Sequence, residues 1–169
     1  MTPQVFVSRP SMLTQSQERQ VASFESTLES WTLQTTGPPI RSSNEPPWNR
    51  LRAALDAADG VAVLGMRQLR VDTGCWRAGT VEAAPARKWW PTPWNQLEAG
   101  MAIMAGVPTL ILCQEGVAGG VFDPHMWADN VYGADFNDFP DHLSVRRWTV
   151  AVTKQSIVRS GNPGLRDSR

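Results

Sequence analysis

The residue best placed to do chemistry is a glutamate. In PTPWNQLEAGMA, Pro91 to Ala102, Glu98 falls in the second turn of an expected helix, among Trp94, Leu97 and Met101. At about 100° per residue it shares a face with Trp94 and Asn95 one turn earlier and with Met101 and Ala102 one turn later. A carboxylate on so apolar a face is partly desolvated. Desolvation raises its proton affinity and suits it to nucleophilic or acid–base work, unless a cation such as Arg9, Arg77 or Arg87 pairs with it. The helix also carries Ala99, Gly100, Ala102, Ala105 and Gly106. Glycine inside a helix costs about 1 kcal/mol relative to alanine, so Gly100 implies a close approach to a neighbouring backbone.

Other chemistry-bearing residues are less well arranged. EGVAGGVFD has glycines suited to holding an anion by backbone N–H groups, but it lacks the lysine and spacing of a P-loop. His125 and His142, with Asp123, Asp129 and Asp141 nearby, match no metal-binding spacing, so neither a metal nor a cofactor is expected. Arg67, Arg70, Arg77, Arg87 and Lys88 concentrate positive charge in one glycine-rich stretch, either as an ordinary solvated loop or as a phosphate contact. Eight Trp stand against one Tyr. Trp48, Trp76, Trp89, Trp90 and Trp94 lie near the loops, where they either pack the core or form a stacking surface.

The elements that must position these residues follow from apolar periodicity. QVFVS, Gln4 to Ser8, reads as a buried strand ended by Arg9-Pro10. Thr14 and Gln17 have capping-box spacing ahead of a helix with Val21, Phe24, Leu28 and Trp31 on one stripe. Thr32 to Thr35 is a candidate short strand. A helix from Pro47 carries Trp48, Leu51 and Leu55 and ends at Gly60, and VAVLG, Val61 to Gly65, follows as a strand. Met66 to Thr92 shows no periodicity and reads as a long functional loop. Thr92 caps the Glu98 helix, Pro93 opens it and Gly106 closes it; Pro108 to Cys113 is a third apolar strand. Asn130 to Phe136 is ambiguous, and Leu143 to Val152 fits a strand or a helix.

Unbroken apolar strands alternating with amphipathic helices predict a doubly wound α/β fold, a mainly parallel sheet with helices on both faces in a flavodoxin-like or Rossmann-like sandwich. Ligands bind such sheets at the carboxyl ends of the strands. Ser8 to Leu13, Gly65 to Thr92 and Gln114 to Asp123 should therefore converge there. The chain, 169 residues long, fits one domain over residues 1–158, and RSGNPGLRDSR, residues 159–169, reads as a disordered tail.

Sixteen basic and sixteen acidic residues cancel, so no global field favours polymeric nucleic acid or an anionic membrane. No apolar run approaches the roughly 18 residues of a membrane span, and the start has no basic segment leading into one. A soluble cytoplasmic protein is expected. Cys75 and Cys113 are too few and too isolated for a metal cage and read as free thiols.

VFVSRP, the Ala58-Asp59-Gly60 step before VAVLG, the loop reaching Gly79-Thr80, and NQLEAGMAIMAGVPTLIL together resemble the nucleoside 2-deoxyribosyltransferase-like family, which is related to TIR-type NAD hydrolases. The resemblance runs from Val5 to Asp123, and its most specific part is E-x-G-x-A-x-x-x-G-x-P from Glu98 to Pro108. It implies an N-glycosidic-bond enzyme acting on a nucleoside, a nucleotide or NAD. By the same resemblance Glu98 is the nucleophile and Asp59 assists in catalysis by orienting sugar or base. Phe6, Ser8, Arg9, Gly79 and Thr80 border the substrate, and family members often form homo-oligomers. Arg77, Trp94 and Asn95 join the expected binding set from their positions in the cationic loop and on the Glu98 face. Where the family passes directly from its glycine-rich loop into the helix, this chain inserts VEAAPARKWWPTPWN. Two other function classes fit the same residues: a noncatalytic nucleotide-sensing or TIR-like signalling module, and an interaction module using exposed Trp.

Overall fold

The computed structural model describes residues 2–37, 46–123, 125, 127 and 129–161. Its centre is a five-stranded parallel sheet built from β1 (Gln4–Ser8), β2 (Gln34–Thr36), β3 (Gly60–Gly65), β8 (Thr109–Cys113) and β9 (Val131–Asp135), in the order β2-β1-β3-β8-β9. Val5 of β1 pairs with Gly60, and Val61 of β3 pairs with Thr109, so all three central strands end at one edge.

Alternate residues of each strand serve opposite faces. Val5, Val7, Ala62, Leu64, Leu110 and Leu112 pack on one side against α1 (Gln15–Ser30) and α4 (Leu143–Gly161). Phe6, Val61, Val63 and Ile111 pack on the other against α2 (Pro47–Ala57) and α3 (Pro93–Met104). This is the doubly wound α/β sandwich expected from the apolar strands.

The helix signals operate as read. Thr14 and Gln17 form a reciprocal capping box at α1, with Gln17 N donating to Thr14 Oγ1 at 3.3 Å and Thr14 N to Gln17 Oε1 at 3.0 Å. Thr92 caps α3 and Pro93 fills its first position. Gly106, just past the helix, takes φ 68°, the left-handed turn that favours glycine.

Four expectations change. The candidate strand at Thr32 to Thr35 is shifted to Gln34–Thr36. Met66 to Thr92 is not irregular throughout: β4 (Leu69–Val71) pairs antiparallel with β7 (Lys88–Trp90), and β5 (Cys75–Trp76) with β6 (Ala84–Pro85). Strands of two or three residues are too short to leave a periodic signal. Leu143 to Val152 is helical and continues to Gly161, because Val145, Trp148, Val152 and Ser156 make a buried stripe at helical spacing. The expected tail therefore starts too early. Arg159 belongs to α4, donating from Nη1 to Ala58 O at 2.5 Å; residues 162–169 lie outside the described residues. No helix among the described residues is long and apolar enough to cross a membrane.

Candidate active site

Glu98 sits on the inner face of α3 with Asn95, Ala99 and Ala102, all four buried. The close approach of α3 to the sheet is made by Ala99 and Ala102, both fully buried. Gly100 does not make it. A Cβ built there meets nothing within 4 Å, and nothing in the structure explains that glycine.

The N-cap begins a chain of directed hydrogen bonds. Thr92 Oγ1 accepts from Asn95 N at 3.2 Å and donates to Asn95 Oδ1 at 2.7 Å. Asn95 Nδ2 then donates to Ser8 Oγ at 2.8 Å, across 87 residues of sequence. Ser8 in turn neighbours the Glu98 carboxyl group and, as a hydrogen-bonding hydroxyl, favours its ionised form. Glu98 is only 7% exposed, and among the described residues its Oε2 has no hydrogen-bond partner. Burial pushes its carboxyl above the ordinary value near 4.5, and the hydrogen bond from Ser8 opposes that rise without cancelling it.

None of the expected cations pairs with Glu98 among the described residues. Arg9 turns to the α1 face, with Nε 3.5 Å from Glu25 Oε1. Arg77 pairs with Glu82, and Arg87 is exposed. The carboxyl group thus keeps a raised proton affinity and one buried oxygen, Oε2, without a hydrogen-bond partner among the described residues.

The structure separates the remaining expected site residues. Phe6 is fully buried in the core between the sheet, α2 and α3. Arg77, Gly79 and Thr80 form the turn between β5 and β6, where Thr80 Oγ1 donates to Arg77 O at 2.8 Å. No hydrogen bond or ion pair among the described residues joins this turn to Ser8, Asn95 or Glu98. Trp94 stands at the mouth of α3 and packs against Trp48 of α2, ring centroids 5.7 Å apart.

Asp59 requires correction as a catalytic residue. It precedes β3 and therefore lies at the amino edge of the sheet, where its Oδ2 accepts from Gln4 N at 3.0 Å and its Oδ1 lies 3.7 Å from Arg159 Nη1. Gln4 and Ser8 are the two ends of β1, about 13 Å apart at the rise of a strand. Asp59 holds β1 and α4 together at the edge away from Glu98.

Several residues at the carboxyl edge carried no signal of their own. Gln96 grips the glycine-rich loop, donating to Gly119 O at 2.9 Å and accepting from Val121 N at 2.9 Å. Gln114 joins β8 to the loop after β3 and to α1, accepting from Arg67 N at 2.9 Å and from Gln17 Nε2 at 3.1 Å. Trp89, Trp90 and Trp76 are taken up within the two hairpins at 69–90. Trp76 and Trp90 flank Lys88 Nζ at 4.6 and 4.1 Å from their centroids, and Trp89 faces Arg67 and Arg70. Of this arrangement the sequence announces the Thr92 cap. Among the described residues no three His, Cys, Asp or Glu side chains gather as metal ligands.

The five-stranded parallel sheet with helices on both faces has a counterpart among solved structures. The fold resembles that of a CMP N-glycosidase. The Clostridium botulinum enzyme superposes with a TM-score of 0.50 at 13% identity, over 91% of this chain and 98% of its own. A 2-deoxyribosyltransferase from Bacillus psychrosaccharolyticus gives a TM-score of 0.47 at 16% identity, over 82% of this chain and 91% of its own, too low to argue from. At such identities the likeness concerns the fold, and at that level it agrees with the resemblance seen in the sequence. No protein-family model matches the sequence, and no curated protein does.

Proposed function

We propose that this protein cleaves the N-glycosidic bond of a nucleoside or nucleotide, with Glu98 as the group that meets the anomeric carbon. The observation that carries this reading is the Glu98 carboxyl group: buried at the carboxyl edge beside Ser8, with Oε2 lacking a hydrogen-bond partner among the described residues. As the bond to the base breaks, positive charge develops at the sugar, and a carboxylate there stabilises it or forms a glycosyl ester. Water then releases the free sugar, or a second base displaces Glu98 and completes a transfer. The ionised form does this work, so base release should rise with pH through a midpoint above the ordinary glutamate value of 4.5. The fold shared with a CMP N-glycosidase is consistent with this chemistry.

The test is chromatographic detection of free base from nucleosides, their 5′-monophosphates and NAD, for wild type and Glu98→Gln, with and without an acceptor base. Release by wild type alone supports the proposal, and exchange of bases separates transfer from hydrolysis. Equal turnover by Glu98→Gln would sink it. Silence across the panel, with thermal stabilisation by one compound, would instead point to a nucleotide sensor.

A further inference from the structure

Ser8 and Asn95 were expected to touch substrate, yet they are 0% and 1% exposed and their polar atoms are committed to the protein. A hydroxyl has one hydrogen, so its direction matters. Thr92 donates to Asn95 Oδ1 and thereby fixes which end of the amide faces Ser8. With Nδ2 turned toward it, Ser8 Oγ must accept, and its own hydrogen is left for Glu98. If the amide turned over, Asn95 Oδ1 would face Ser8 and take that hydrogen away.

We infer that Thr92 and Asn95 are positioning residues, whose hydrogen bonds aim the Ser8 hydroxyl at one oxygen of Glu98 and leave the other for the reacting sugar. The last clause rests on the function proposed above; the aiming does not. The arrangement ties the Glu98 rotamer to the N-cap of its own helix, so that α3 and β1 hold the carboxyl group in one orientation. Ionisable groups on or beside the elements packed against α3 are Arg9 after β1, Arg50, Arg52 and Asp56 on α2, Asp59 before and Arg67 after β3, Cys113 at the end of β8, and Asp123 after the turn at Gly120–Phe122. Arg9 is engaged by Glu25 and Arg52 by Asp56, while the Cys113 thiol, pushed up to about 12, stays neutral.

Asn95→Asp is the discriminating variant because it keeps the size and changes the direction of the hydrogen bond. Its two oxygens can both accept, one from Thr92 and one from Ser8, so Glu98 loses its donor and gains a neighbouring negative charge. Thr92→Val frees the amide to turn, whereas Thr92→Ser retains the hydroxyl. The readout is the titration of the Glu98 side-chain carboxyl carbon in full-length protein carrying 13C-labelled glutamate, its resonance assigned by its loss in Glu98→Gln. The expected result is a proton affinity at least tenfold higher in Asn95→Asp, a smaller rise in Thr92→Val, and wild-type behaviour in Thr92→Ser. A folded Asn95→Asp that titrates with the wild-type midpoint overturns the inference. Should Asn95→Asp fail to fold, identical midpoints for Thr92→Val and Thr92→Ser overturn it equally. Because the titration requires no turnover, it decides the inference even if the base-release panel is silent. An unshifted titration in an active enzyme would remove the positioning role and leave the proposed function standing.

Discussion

Replacing Glu98 by glutamine should change stability in a way that depends on pH, and the sign can be worked out from its surroundings. Glu98 is buried beside one hydroxyl, with Oε2 lacking a hydrogen-bond partner among the described residues, and its proton affinity in the folded state exceeds that in the unfolded chain. Below the unfolded value, near 4.5, the group is protonated in both states and its ionisation contributes nothing. As pH rises from there to the folded value, the unfolded chain releases this proton while the folded chain retains it, so wild-type stability falls. Above the folded value the loss is complete and constant. Glutamine cannot ionise. The buried amide contributes an offset of its own, but that offset is independent of pH.

The difference in stability, Glu98→Gln minus wild type, should therefore climb with pH from about 4.5 upward and then level off. One proton gives at most about 1.4 kcal/mol per pH unit. For a chain of this size that is roughly 3–6 °C in Tm per pH unit across the window. Paired thermal melts from about pH 4 to about pH 8 measure it, and because both proteins carry every other titrating group, those contributions cancel. A difference that stayed flat across this range, or fell with rising pH, would refute the claim that Glu98 is destabilised by burial of its charge.

Four further outcomes follow from individual contacts. Ser8→Ala leaves Asn95 Nδ2 buried without an acceptor, so urea unfolding should show a loss of about 1–3 kcal/mol. Gly60→Ala would drive a Cβ into Val152 Cγ2, an overpacking cost of about 1–3 kcal/mol that a second change, Val152→Ala, should largely relieve; additive losses would contradict the contact. Asp59→Ala leaves Gln4 N without its acceptor and Arg159 without its ion pair, and should cost about 1–3 kcal/mol of stability while base release per folded molecule is retained; a selective loss of turnover would restore Asp59 to the catalytic set. Cys113, with its thiol pushed up to about 12 by burial and by Asp135, should resist iodoacetamide in the native protein at about pH 8, whereas exposed Cys75 reacts; mass spectrometry of the labelled chain distinguishes one adduct from two.

The strands and helices that make the sheet were legible because they are long enough to show a period and are bounded by residues that stop them. QVFVS ends at Arg9-Pro10, and the Glu98 helix lies between Thr92-Pro93 and Gly106. The hairpins at 69–90 escaped notice for the opposite reason. Their strands are two or three residues long, and their order comes from pairing, Leu69 with Trp90 and Arg70 with Trp89, that a linear reading does not contain. The last helix was ambiguous because Leu143 to Val152 is rich in β-branched residues. Its stripe becomes plain only when carried on to Ser156, within the part of the chain beside the expected tail.

The site was legible along α3 and obscure across the sheet. Thr92, Asn95 and Glu98 recur at intervals of three, so one helix carries the cap, the amide and the carboxylate on adjoining turns. Ser8 lies far away in sequence, and only parallel pairing of β1 with β3, followed by the return through α3, brings it to Asn95. The assignment of Asp59 by resemblance shows what strand direction alone could have excluded. A residue directly before a parallel strand lies at the amino edge, whereas the loops that can meet a ligand leave from the carboxyl edge. Ser8 satisfies that condition and Asp59 does not. Direction governs the hydrogen bonds as well: sequence spacing can bring Asn95 near Ser8, but Thr92 Oγ1, by donating to Oδ1, decides that the hydroxyl hydrogen points at Glu98.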